Sequence, residues 1–163
     1  MATTSKSKAQ RFIVYIKEFD KYDENNEPLC RNLNCISKVC KPYRKYCSKT
    51  CSKEFSRWYN TNFYWSRVRS KILKRDDFTC QICDITLHKK KRYNKLKKNW
   101  LECDHIVPKS YYYDFGYRFD TLENKIKTTL EFFHNKDNLR TVCYKCHKEI
   151  TLNHKKPKGL IAT

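Results

Sequence analysis

The stretch Leu101-Glu102-Cys103-Asp104-His105-Ile106-Val107-Pro108 decides how this chain is built. An acidic residue and a histidine stand side by side, apolar residues lie on both sides, and a proline closes the run. Neighbouring side chains in a strand point to opposite faces. An Asp-His pair at a strand end can therefore turn a carboxylate toward a metal ion and an imidazole toward a substrate. The pattern predicts a core strand and turn over 101–108.

Two cysteine pairs bracket this stretch. Upstream is Cys80-x-x-Cys83, within Phe78-Thr79-Cys80-Gln81-Ile82-Cys83-Asp84. Downstream is Cys143-x-x-Cys146. Four thiolates suffice for a tetrahedral zinc, and ligands need proximity in space only. Such an ion would pin the loop before the core strand to the start of a last helix, where a small domain has few other ways to fix that geometry.

Next to the second pair runs Asp137-Asn138-Leu139-Arg140-Thr141-Val142-Cys143-Tyr144-Lys145-Cys146-His147-Lys148. The order Asp-His, Asn-Leu, Cys-x-x-Cys-His resembles the HNH endonucleases, nucleases of the ββα-metal fold, over roughly Arg67 to Thr151. The resemblance implies an α+β fold class. Its centre would be a ββα-metal, treble-clef-like core stapled by zinc at Cys80, Cys83, Cys143 and Cys146. It also implies hydrolysis of DNA phosphodiester bonds. That reaction needs an activated water, neutralised phosphoryl oxygens and help for the leaving oxygen, and a divalent ion serves the last two. His105 is then the general base. Asp104 and His147 hold Mg2+ or Mn2+, and Asn138 ties the loop to the strand and orients His105. The sequence departs from the family in two places. The gap from His105 to Asn138 is long, and Ser110-Tyr111-Tyr112-Tyr113 stands where glycines are common.

A second cysteine group precedes this region. Cys30, Cys35, Cys47 and Cys51 suit another structural zinc, with Cys40 an alternative to Cys35. The ending Tyr46-Cys47-Ser48-Lys49-Thr50-Cys51 resembles small treble-clef-like modules found beside nuclease domains. The chain thus divides into a basic and strand-forming segment over 1–29, a zinc module over 30–52, a connecting basic-aromatic helix over 53–76, a nuclease domain over 77–155 and a basic tail over 156–163. Within the first segment, 1–10 reads as disordered, 11–19 as a short strand or helical turn, and 20–28 as a polar loop. Helical spacing of Phe55, Trp58, Tyr59, Phe63, Val68, Ile72 and Leu73 supports the connecting helix, with a break near 60–62. Leu122, Ile126, Leu130 and Phe133 predict another helix, inside a tyrosine-rich insertion read as a satellite core.

The totals agree with a nucleic-acid partner. The 163 residues carry 36 Lys and Arg against 17 Asp and Glu, a formal charge of +19 that attracts polyanions. Phosphate contacts are expected from Arg67, Arg69, Arg140 and Lys148. The basic run Lys89, Lys90, Lys91 and Arg92, in an insertion over 88–100, is expected to face the DNA backbone. His88, His134 and His154 read as structural or merely exposed. Ten cysteines, several of them in close pairs, fit zinc thiolates in a reducing interior, cytoplasm or nucleus, better than disulfides. No signal-peptide run or membrane span is apparent. The expected partner is double-stranded DNA. One site per chain for two strands implies a homodimer. The competing expectation is a non-catalytic zinc-stapled protein that binds DNA or RNA.

Overall fold

A computed structural model describes residues 12–87, 93–94 and 99–155. The basic run 89–92 and the segments 1–10 and 156–163 lie outside the described residues. After a short 3-10 helix at Ile16–Phe19, strands β1 (Lys21–Tyr22) and β2 (Pro28–Leu29) pair antiparallel. The polar loop expected over 20–28 is a hairpin. Asp23 Oδ1 accepts from the Asn25 and Glu27 N–H groups, and Asn26 takes the left-handed conformation that asparagine tolerates.

Helix α1 (Lys49–Phe63) begins where the Ser48 hydroxyl accepts from the Cys51 N–H at 3.2 Å, capping an otherwise unpaired first turn. Its Phe55, Trp58, Tyr59 and Phe63 close over Phe19 and Val14. The 3-10 helix before β1 is thereby fixed as the lid of an aromatic cluster. The chain then breaks at Tyr64, just past the expected 60–62, and resumes as α2 (Trp65–Arg75).

The sheet comprises β3 (Tyr93–Asn94), β4 (Asn99–His105) and β5 (Leu139–Cys143), antiparallel in that order. Between β4 and β5 lie α3 (Leu122–Thr128), capped by Thr121, and a π-helical turn at Thr129–Phe133. The helix expected over 122–133 therefore changes pitch half-way. In the tyrosine-rich insertion Tyr112 packs edge-on with Phe12 and Phe133, and Phe119 packs edge-on with Phe12 and at a tilt to Phe133, whereas Tyr113 and Phe115 are exposed. Only part of the insertion forms the expected satellite core.

Helix α4 (Tyr144–Lys155) follows β5 directly. The pairing of β4 with β5 sets Asp104 opposite Arg140 and His105 opposite Leu139. Alternation then gives β4 two different faces. Cys103 and His105 meet α2 and its flanks, while Glu102 and Asp104 meet α4. Leu73 packs with Leu101, Val142, Cys80, Cys143 and Cys146. The end of α2 is bonded to β5: Arg75 donates to the Lys136 and Leu139 carbonyls, and Asp76 accepts from the Thr141 N–H at 2.8 Å. The whole is α+β, mixed helix with small antiparallel sheets. Among the described residues no helix is long and apolar enough to cross a membrane.

Candidate functional site

Two four-cysteine groups come together. In each, the four sulfurs lie within 4.8 Å of one another: Cys30, Cys35, Cys47 and Cys51 in one, Cys80, Cys83, Cys143 and Cys146 in the other. Cys40 is exposed and outside the first group, so the choice between it and Cys35 falls to Cys35. Sulfur separations are 3.6 Å for Cys35–Cys47 and Cys47–Cys51, and 3.7 Å for Cys83–Cys143. Tetrahedral zinc with ~2.3 Å bonds spaces its thiolates at about 3.8 Å, so both donor sets are compatible with structural zinc. All ten cysteines are unpaired thiols. Hydrogen bonds with Ser37 bring Cys35 down to about 6, while neighbouring Cys51 and Cys35 push Cys47 up to about 12. Burial disfavours the Cys80 thiolate, yet the backbone N–H groups of Cys143, Cys83 and Ile82 outweigh it and hold Cys80 near 7. A divalent cation would offset the neighbouring-thiol effect that holds Cys47 up.

The second cysteine group sits where β5 turns into α4, and this junction positions His147. Its Nε2 lies 3.7 Å from Asp104 Oδ1. Its Nδ1 meets Glu102 Oε2 in direct contact. Glu102 Oε1 accepts from the Trp100 indole N–H at 2.6 Å. The other Asp104 oxygen, Oδ2, accepts from Arg140 Nε and Nη2 at 3.3 and 3.2 Å. Arg140, expected to reach phosphate, thus has its guanidinium engaged with Asp104.

His105 occupies the other face of β4. Its ring stacks on Trp65 with centroids 5.4 Å apart and planes 11° from parallel. Its Nε2 donates to the Phe133 carbonyl at 2.8 Å, a tautomer that leaves the Nδ1 lone pair as acceptor. Burial, with the Lys109 ammonium nearby, pushes the imidazole down to about 4. Among the described residues no hydrogen bond or ion pair joins His105 to Asp104 or His147. Asn138 supports this arrangement from behind. Its Oδ1 accepts from the Val107 N–H at 2.8 Å, and its Nδ2 donates to the Val107 and Phe132 carbonyls. It therefore ties the turn after β4 to the segment whose next carbonyl holds His105.

Of the expected phosphate contacts, Arg67 and Lys148 are exposed. Arg69 instead donates to the Leu101 carbonyl at 2.5 Å. Lys89, Lys90, Lys91 and Arg92 lie outside the described residues. Two side chains at the site escaped the sequence reading. Glu102 had a legible signal, since it precedes Asp104 by one full strand period. Lys109 had none: it lies over the rings of Trp65 and Phe133, and burial pushes its ammonium down. No protein-family model, curated protein or solved structure matches this chain.

Proposed function

We propose that the protein is a metal-dependent endonuclease of the HNH type, hydrolysing phosphodiester bonds of double-stranded DNA, with two structural zincs. One observation carries the reading: a carboxylate from β4 and an imidazole from α4 converge, 3.7 Å apart, beside a four-thiolate group that joins the two ends of the region. A chain that only binds nucleic acid has no use for that convergence. The donors, one oxygen and one nitrogen, suit Mg2+ or Mn2+ with open positions for water and phosphate. The ion, when bound, neutralises the phosphoryl oxygens and assists the leaving oxygen. Asp104 and His147 would hold it, and Arg140, bonded to Asp104 Oδ2, leaves Oδ1 free for that role. His105 takes the proton of the attacking water on Nδ1, with its ring fixed by the Phe133 carbonyl and Trp65. Arg67, Lys148 and the basic run over 89–92 contact the DNA backbone.

A second reading, a zinc-stapled nucleic-acid-binding protein without activity, draws on the position of His105 across the strand from the Asp104–His147 pair. Plasmid cleavage with Mg2+ or Mn2+ separates the two. Wild type should nick or cut, while His105→Ala and Asp104→Ala should lose at least a hundredfold in rate and still bind DNA. A wild type that binds and never cuts leaves the second reading standing.

A further inference from the structure

We infer that Glu102 is a positioning residue for the hydrolytic cation: its carboxylate takes His147 Nδ1 and so presents Nε2 beside Asp104. This rests on the proposed reading of Asp104 and His147 as metal ligands, and assigns the residue that makes one of them competent. An imidazole can offer either nitrogen, and which one faces a metal is set by what the other nitrogen bonds. Here Glu102 Oε2 is in contact with Nδ1, the nitrogen turned away from Asp104.

Three features make the arrangement specific. Glu102 and Asp104 are one strand period apart on β4, so the backbone fixes their spacing along α4. Glu102 is itself anchored, because Oε1 accepts from the Trp100 indole while that ring lies 4.3 Å from the Tyr144 ring at the start of α4. The Nε2–Oδ1 distance of 3.7 Å is too long for a hydrogen bond. It falls between the spacings of about 3 Å for adjacent and about 4.2 Å for opposite ligands on an octahedral ion with ~2.1 Å bonds, so a small side-chain shift would bring both atoms onto one cation. Each is steadied from outside: Asp104 by Arg140, His147 by Glu102.

The test measures Mn2+ affinity by calorimetry and by the electron-spin signal of unbound Mn2+, on the full chain with its zinc content verified. Asp104→Ala and His147→Ala should abolish the site; if both bind Mn2+ like wild type, the underlying metal-site reading fails. With that control passed, Glu102→Ala should weaken Mn2+ by ten- to a hundredfold while keeping two zincs. Glutamine has one acceptor oxygen where Glu102 serves two donors, so the rescue variant is Glu102→Gln combined with Trp100→Phe. Its amide oxygen can accept from Nδ1–H, and affinity should return to within a few-fold of wild type. Equal affinity in Glu102→Ala and wild type overturns the inference. So does a Gln variant as weak as Ala, which would mark Glu102 as a direct ligand. Where Glu102→Ala loses zinc or melts early, the shape-matched Gln variant decides alone.

Discussion

Three backbone groups depend on the side-chain amide of Asn138: the Val107 N–H and the Val107 and Phe132 carbonyls. Asn138 is buried, so removing the amide strands the Phe132 carbonyl away from water and takes two bonds from the half-buried Val107. Asn138→Ala should cost about 2–3 kcal/mol in urea unfolding. Asn138→Asp should cost at least as much at neutral pH, because it aims a carboxylate at two carbonyl oxygens. An aspartate variant as stable as wild type would contradict this assignment. His134 makes a pH-dependent contribution of the same local kind. Burial pushes it down to about 4, below the ordinary 6.5, and its Nδ1 lies 2.5 Å from the Asn62 carbonyl oxygen. Between those values the unfolded chain binds the proton more readily than the folded one. Stability therefore falls as pH drops from 6.5 toward 4. His134→Gln should flatten the dependence of melting temperature on pH in that window by up to one proton. Protonation of the cysteine groups is common to both proteins and cancels in the difference.

Among the elements, the end of α2 and the β5–α4 junction carry most of the site's geometry. Asp76 accepts the Thr141 N–H in the middle of β5 and pairs with Arg75, which binds two further carbonyls of the same region. Asp76→Ala should lose roughly 2–3 kcal/mol of stability, and Asp76→Asn clearly less, since an amide oxygen still accepts that N–H. The two cysteine groups hold different elements. Metal analysis should find two zincs in wild type and one in either Cys47→Ser or Cys143→Ser. The Cys143 variant should also lose Mn2+ binding, because its thiolate group joins β5 to the helix bearing His147. The Cys47 variant should retain it, and equal loss in both would show that the two groups support a single unit.

Taken whole, the molecule is a polycation of formal charge +19. Its affinity for duplex DNA should be governed by counterion release. A footprint of about six phosphates predicts roughly a thousandfold loss of affinity between 50 and 200 mM salt. Titrations at four salt concentrations give the slope directly, and a flat response would rule out backbone contacts as the source of binding.

The two four-cysteine groups were legible in the chain itself. Cys-x-x-Cys spacing selects ligand pairs locally, and both four-thiolate groups assemble from cysteines identifiable by spacing. The core strand was legible for the same reason, since apolar residues flanking Asp104 and His105 leave few alternatives. The same stretch predicts that His105 and Asp104 meet His147 together, whereas period-2 alternation turns His105 to the α2 face, against Trp65 and Phe133, and leaves only Asp104 beside His147. The tertiary structure alone decided what each then meets. Arg140 turned to Asp104 because cross-strand register set them opposite one another, and register is not encoded in either strand alone. Glu102 meets His147 because α4 docks on that face of β4, and Lys109 is half-buried against Trp65 and Phe133. Local spacing thus determined which residues can bind metal. The docking of α2 and α4 on the two faces of one strand determined which partner each site side chain has, because that choice depends on contacts between residues distant in sequence.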